Sequence, residues 1–461
     1  MFQTSIYQNR RGILSKNIQD GILVFPANRE LGMNFADNVY HFRQDSTFLY
    51  YFGIDQPDIV GVLDTDTGEE IIFGDELSID AIIWMGALET LASKCEKAGI
   101  KDVRPKKELA PFLEKAKRNQ AIHYLPPYRH DIQIDLSLWL DLPINLVNKK
   151  ASIPFIKAVV AQRSIKEEVE LVELRKAVDI TNQMHLKAME MAQPGVEEAE
   201  IAAELQRIAQ ASGGQLSFPS IVTKNGEILH NHYHGNTLKE GDLLLVDAGA
   251  ETAMHYAGDM SRTMPVGGKF SQRQKEIFEV VYGAHQTAIE GLRPGERFLD
   301  RHLAAAAALT DGLKDLGLMK GDTQEAVAAG AHTLFFQCGL GHMMGLDVHD
   351  MENLGEEYVG YTDTLQKSKE FGLKSLRLGK ELEKGYVITI EPGIYFIPQL
   401  IDQWKANKHL EQFINYDVVE TYKDFGGIRQ EEDFVITDNG YELLGEEIAK
   451  TVEAVEKEVS R

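Results

Sequence analysis

The chain has 461 residues, 43% of them hydrophobic and 26% charged, a balance that supplies a sizeable core and excludes a disordered or fibrous protein. At about 150 residues per domain the length suits three domains, or one small and one large. Its 48 Lys and Arg against 71 Asp and Glu leave a formal charge of −23, a field that repels phosphate backbones and anionic membrane surfaces and argues against nucleic acid or membrane as partners.

The segment from Met1 to Tyr7 lacks a charged stretch followed by an apolar run, so no secretory signal is read. Charges interrupt every apolar stretch before the roughly 18 residues a membrane span requires, and a cytoplasmic protein is expected. Residues 21–25 read as a buried strand, and 58–63 with 70–73, joined by the turn Asp66-Thr67-Gly68, as a hairpin. A helix over about 76–97 and a strand over 121–125 complete an α/β domain expected over 1–155.

A second domain is expected over 160–450. It opens with Ser164-Ile165-Lys166-Glu167, a capping-box pattern in which the serine satisfies a free helix N–H and the glutamate reaches back to the cap. Val169, Val172, Ile180 and Met184 follow at helical spacing until Pro194-Gly195 stops the helix. A second helix to about Ser212 and strands around 220–223, 243–246 and 254–266 come next. The same order then recurs: a helix over 272–292, Pro294-Gly295, a helix toward Leu316, and strands around 387–390 and 427–437. Both Pro-Gly breaks lead into an acid, Glu197 and Glu296, and a new helix. The pattern reads as a duplicated helix–helix–sheet unit with a site between its halves, although two such breaks also arise by coincidence. Residues 355–385 and 399–425 read as polar insertions.

Three acids occupy costly positions. Asp247 ends the run Leu243-Leu244-Leu245-Val246, Glu391 ends Val387-Ile388-Thr389-Ile390, and Glu431 precedes Phe434-Val435-Ile436. A carboxylate buried there loses several kcal/mol of hydration unless a cation or hydrogen bonds compensate; one that ends a strand in solvent does not. Asp259 lies where the facing strand of a hairpin would bring it toward Asp247, and His342 sits among glycines in Gly339-Leu340-Gly341-His342. Four carboxylates and an imidazole form a hard, oxygen-rich set suited to two divalent cations such as Mn²⁺. Two such ions sharing a hydroxide would make a nucleophile at neutral pH, the equipment of a hydrolase. The two cysteines, Cys95 and Cys338, form neither a disulfide framework nor a thiolate zinc motif.

Asp247-Ala248-Gly249, Ala257-Gly258-Asp259 with Ser261-Arg262-Thr263, Gly341-His342, Gly345-Leu346-Asp347-Val348-His349-Asp350, Thr389-Ile390-Glu391-Pro392-Gly393 and Arg429-Gln430-Glu431 closely resemble the Xaa-Pro aminopeptidases (aminopeptidase P) and prolidases, in that family's order. The stretch from Tyr40 to Gly53 and Trp84-Met85-Gly86 resemble the aminopeptidase P N-terminal domain, which methionine aminopeptidases lack. The resemblance implies an α/β (α+β) protein: a pita-bread catalytic domain with pseudo-two-fold duplication, preceded by a smaller α/β domain of the creatinase and aminopeptidase P type. It implies two divalent metal ions, with Mn²⁺ expected, held by Asp247, Asp259, His342, Glu391 and Glu431, with Asp259 and Glu431 as bridges. Glu391 would also shuttle a proton, and His230 and His349 would act on the substrate, with Trp84 and Arg429 as further contacts.

Several alternatives stay open at this level. The family histidine ahead of Asp247 is His230 on a gapless reading and His232 if a gap is allowed. Trp84 belongs to a substrate pocket, contributed by a neighbouring subunit as in some relatives, or to a core. Cys338 stands four residues before His342 where family members often carry a histidine. The expected substrates are peptides with proline at the second position and the expected assembly is a homo-oligomer, a dimer or higher. A prolidase restricted to Xaa-Pro dipeptides would share the same metal residues, and a non-catalytic peptide-binding relative would lack them.

Overall fold

Alternation of apolar residues builds the sheet of the first unit. In the structure, a computed structural model describing residues 1–18 and 20–461, this sheet has five strands: β1 (Ile22–Pro26), β2 (Val60–Asp64), β3 (Glu70–Phe73), β4 (Asp102–Arg104) and β5 (Ile122–Tyr124). Their order is β4-β3-β2-β1-β5; the β1–β2 and β2–β3 pairs are antiparallel and the β3–β4 and β1–β5 pairs parallel. Ile22, Val24, Val60, Val62, Ile71 and Phe73 share one core with Leu109, Leu113, Ile132 and Leu136. Side chains alternate across a strand, and Phe25 accordingly packs oppositely, against Tyr51, Phe52 and Phe155 with ring centroids 5.1–5.4 Å apart. Each such apolar side chain contributes about 1.5–3 kcal/mol when fully buried. The unit comprises Met1–Arg163 and Met351–Tyr358; the second comprises Ser164–Asp350 and Val359–Arg461.

The expected hairpin forms around Asp64, whose Oδ1 accepts the N–H groups of Asp66 and Thr67. The single helix expected over 76–97 is instead two, Ile79–Met85 and Leu91–Lys97. Gly86 ends the first, and the Glu76 carboxylate accepts the N–H groups of Leu91 and Ala92, starting the second afresh. The stretch from Tyr40 to Gly53 contains the buried helix Ser46–Phe52, capped by Asp45 on the Phe48 N–H.

In the second unit the cap of the first helix, Glu168–Met191, lies three residues later than expected. Ser164 ends the preceding helix Ile153–Ser164, and Glu167 with Glu170 forms the capping box. The strands are β6 (Gln215–Leu216), β7 (Ile221–Thr223), β8 (Leu243–Asp247), β9 (Ala250–Glu251), β10 (Ser261–Pro265), β11 (Val387–Ile390), β12 (Gly393–Tyr395), β13 (Gly427–Arg429), β14 (Glu432–Ile436) and β15 (Tyr441–Leu443). They form the sheets β10-β8-β7 and β11-β14-β15 and the pairs β12-β13 and β6-β9.

The duplication repeats bond for bond. Gly195 N–H donates to Leu238 O and Leu238 N–H to Val196 O; in the other half Gly295 N–H donates to Leu382 O and Leu382 N–H to Glu296 O. From Leu238 to Asp247 and from Leu382 to Glu391 the spacing is the same, as it is from His185 to Pro194 and from His285 to Pro294. Both histidines are fully buried, His185 Nε2 donating to Ala248 O and His285 lying against the Ile390 backbone. Each half therefore places a buried imidazole beneath the strand end that carries its acid. Among the described residues no helix is long and apolar enough to cross a membrane.

Candidate metal centre

Two close backbone approaches bring the acids together. A Cβ on Gly249 would lie 1.9 Å from Gly258 O, so only glycine lets the chain after Asp247 pass the segment leading to Asp259. Likewise a Cβ on Gly341 would lie 2.1 Å from Thr389 O, which seats His342 against the strand ending at Glu391. The expected strand 254–266 shortens to β10, so Asp259 stands just before it, and Asp247 pairs in register with Ser261. The expected strand 427–437 breaks into β13 and β14, which pair with different partners, β12 and β11. Glu431 sits in that break and Glu391 in the matching break between β11 and β12. Each break turns a carboxylate out of the ladder.

Asp259, His342 and Glu431 are all buried, and one ligand atom from each lies within 4.8 Å of the others. His342 Nε2 is 3.4 Å from Asp259 Oδ2 and 3.6 Å from Glu391 Oε1. Its Nδ1 is 3.1 Å from Met343 O; with a proton donated there, Nε2 offers its lone pair to the acids. Glu431 accepts the Ser261 hydroxyl at 2.9 Å, and the Arg262 guanidinium clamps the Glu431 carbonyl and the Glu432 carboxylate at 2.7 and 2.9 Å. Asp247 is turned instead to the buried Arg429, which also holds Ser261 Oγ at 2.8 Å and Tyr395 Oη at 2.9 Å. Burial opposes the Arg429 charge, but Tyr395, Asp247, Glu391 and Glu431 keep it firmly protonated.

Burial first, and then the neighbouring acids, push Asp259 and Glu431 well above the usual carboxylate range. Burial also raises Glu391 to about 7, with His342 and Arg429 pulling the other way. Asp433, absent from the expected site, accepts the Asp259 N–H at 3.1 Å and is raised by burial in the same way. Asp259 Oδ1 is buried and has no hydrogen-bond partner among the described residues. Crowded carboxylates with an orphaned oxygen fit divalent cations, whose charge would compensate the desolvation.

His349 lies at the edge of this cluster, its ring 4.4 Å from that of His342 at 75°. His230 is accessible to solvent, yet its pKa is lowered, first by partial burial and then by the Arg429 charge, with Arg377 and His349 adding to the effect. His232 is exposed. Cys338 lies 3.9 Å from Tyr395 Oη, and burial beside Glu391 pushes its thiol up to about 12. Trp84 is 86% exposed in the helix Ile79–Met85, which removes the core alternative. Arg377, Tyr395 and Asp433 carried no expectation, and Ser261 stood in the motif Ser261-Arg262-Thr263 without an expected role; of the first three only Asp433, third in the run Glu431-Glu432-Asp433, left a local signal.

A carboxylate cluster with one imidazole, built across the two halves of a duplicated α/β unit, defines a pita-bread metalloprotein. Residues 172–438 match Metallopeptidase family M24, and residues 7–124 match the aminopeptidase P N-terminal domain. The chain belongs to metallopeptidase family M24. It is 32% identical to the Xaa-Pro aminopeptidase of Escherichia coli K12 over 464 residues, covering 98% of this chain and 96% of the relative. It is equally identical to the Xaa-Pro dipeptidase of Rattus norvegicus over 444 residues, covering 94% and 88%. Among solved structures, the zinc-substituted E. coli aminopeptidase P in complex with product superposes with a TM-score of 0.83 at 30% identity, covering 100% of this chain and 98% of that one. The Pseudomonas aeruginosa aminopeptidase PepP gives 0.81 at 28%, with the same coverage.

Proposed function

We propose that the protein is an Xaa-Pro aminopeptidase that hydrolyses the bond between an N-terminal residue and proline, using two divalent cations, Mn²⁺ in the cell, in the cytoplasm. The observation that carries this reading is the buried cluster of Asp259, His342 and Glu431 in a chain of family M24. Asp247 and Glu391 complete the set that would hold the cations. Bound there, the cations supply Lewis acidity toward the scissile carbonyl and lower the pKa of water.

The chain's own groups do the rest. Glu391 moves a proton from the attacking water toward the leaving nitrogen. His349 donates an N–H where the oxyanion develops, an interaction that strengthens as charge grows. His230 positions the substrate, and Arg429 holds Asp247 while facing the same space. An Xaa-Pro bond has no N–H and a fixed φ, so strand-like binding handles it poorly. Anchoring the α-amine and the carbonyl avoids that need.

Hydrolysis of Xaa-Pro and Xaa-Pro-Yaa peptides after chelation, with Mn²⁺, Co²⁺ or Zn²⁺ restored, tests the reading. Turnover indifferent to chelation would overturn it. Cleavage of the dipeptide alone would favour the second reading, a prolidase, which the equally similar Xaa-Pro dipeptidase supports. The exposed Ile79, Ile83, Trp84 and Met85 fit a homo-oligomer in which a second copy covers them. A monomer in light scattering would remove that assembly.

A further inference from the structure

The link between the helices Ile153–Ser164 and Glu168–Met191 carries Lys166, whose Nζ lies 2.8 Å from Asp350 Oδ2 with 1% of each side chain exposed. Burying such a pair is hard to explain by stability, because desolvation offsets the attraction and apolar residues of the same volume often do as well or better. The placement supplies another reason. Asp350 directly follows His349, and its N–H donates to Met343 O at 2.9 Å, closing the turn that begins just after His342. A Cβ on Gly345 would lie 2.6 Å from Asp350 Oδ2, so the carboxylate is packed tightly within that turn.

Lys166 is held from elsewhere. Its N–H donates to Gly385 O at 2.9 Å, in the turn that leads into β11. Ser164 Oγ reaches Met343 Sδ at 3.9 Å. One turn into the helix, Glu170 accepts Tyr256 Oη at 3.0 Å, in the loop between Asp247 and Asp259. The ammonium is thus a fixed point outside the histidine's own loop.

We propose that Lys166 is a positioning residue for His349: its buried ion pair with Asp350 sets the direction in which the neighbouring imidazole meets the metal centre. The proposal rests on the role given to His349 above. A misplacement of about 1 Å in a catalytic group lowers rate by up to about a hundredfold. Lys166→Met and Asp350→Asn are therefore expected to lower kcat about ten- to hundredfold, with KM and bound metal unchanged. Should the single variants fold poorly, the apolar pair Lys166→Met with Asp350→Leu is expected to keep stability and show the same low kcat.

In a His349→Ala background, adding Lys166→Met is expected to change kcat less than about twofold, because the group it orients is gone. Wild-type kcat in the apolar pair, a further large loss in the His349→Ala background, or loss of bound metal would each overturn the proposal. Displacement of the His349 imidazole resonance in Lys166→Met, assigned with His349→Ala, reads the positioning directly, and an unmoved resonance overturns it. Wild-type turnover in His349→Ala with a displaced resonance would uphold the positioning and overturn the catalytic role instead.

Discussion

The two halves of the catalytic unit share a scaffold and differ in what surrounds their acids. In the first half β8 ends at Asp247 and returns to β10 through a connection that carries β9, so Asp247 and Asp259 arrive from neighbouring stretches of chain. In the second half the return strand β14 comes after the helix Pro398–Ala406 and its neighbours, and both strands break beside their acids. Asp247 meets the guanidinium of Arg429, whereas Glu391, at the matching position, meets His342 and is raised by burial to about 7. Repeating the scaffold while changing the local field gives two equivalent carboxylates different surroundings, and the tasks proposed for them differ accordingly: Asp247 a ligand held by Arg429, Glu391 the proton carrier.

That division can be broken from either side. Asp259→Asn, which removes the acid nearest both halves, is expected to abolish turnover and lower metal content; wild-type activity would take Asp259 out of the ligand set. Glu391→Gln is expected to lower kcat by about 10²–10⁴-fold, and Asp247→Asn to act mainly by reducing bound metal. Equal kinetic losses with equal metal content in the two would erase the distinction between the halves. Arg429→Met leaves the Asp247 carboxylate without its buried cation and is expected to destabilise the fold by about 3–5 kcal/mol, read as a fall in denaturant midpoint. An unchanged midpoint would mean the pair is dispensable.

A smaller effect belongs to the second half. His302 and His332 are buried with ring centroids 6.4 Å apart, and burial holds them down to about 3 and about 4. Their folded values lie below the unfolded value, so the stability they contribute is present above about pH 6.5 and is lost as pH falls toward 4. At pH 5 the loss is on the order of 2 kcal/mol per histidine. His302→Phe, stacked against Phe336, is expected to flatten the decline of the denaturation midpoint between pH 7 and 5; an unchanged slope would assign the acid sensitivity elsewhere.

The chain by itself determined what is local or carried by ordered motifs. The hairpin over β2 and β3 follows from Asp64 to Gly68, the Pro-Gly breaks announce the repeated helix pairs, and the apolar runs ending in Asp247 and Glu391 mark the acids. Tertiary structure decided the rest. The helix cap moved from Ser164 to Glu167 because Ser164 finishes the preceding helix, and the stretch over 427–437 split because its ends pair with different sheets. Glu431 meets Ser261, Asp433 meets Asp259, and Lys166 meets Asp350 across more than 160 positions each. Contacts of that span leave no periodicity in a sequence, because their energy comes from burial and from charges that meet only once the chain has closed on itself.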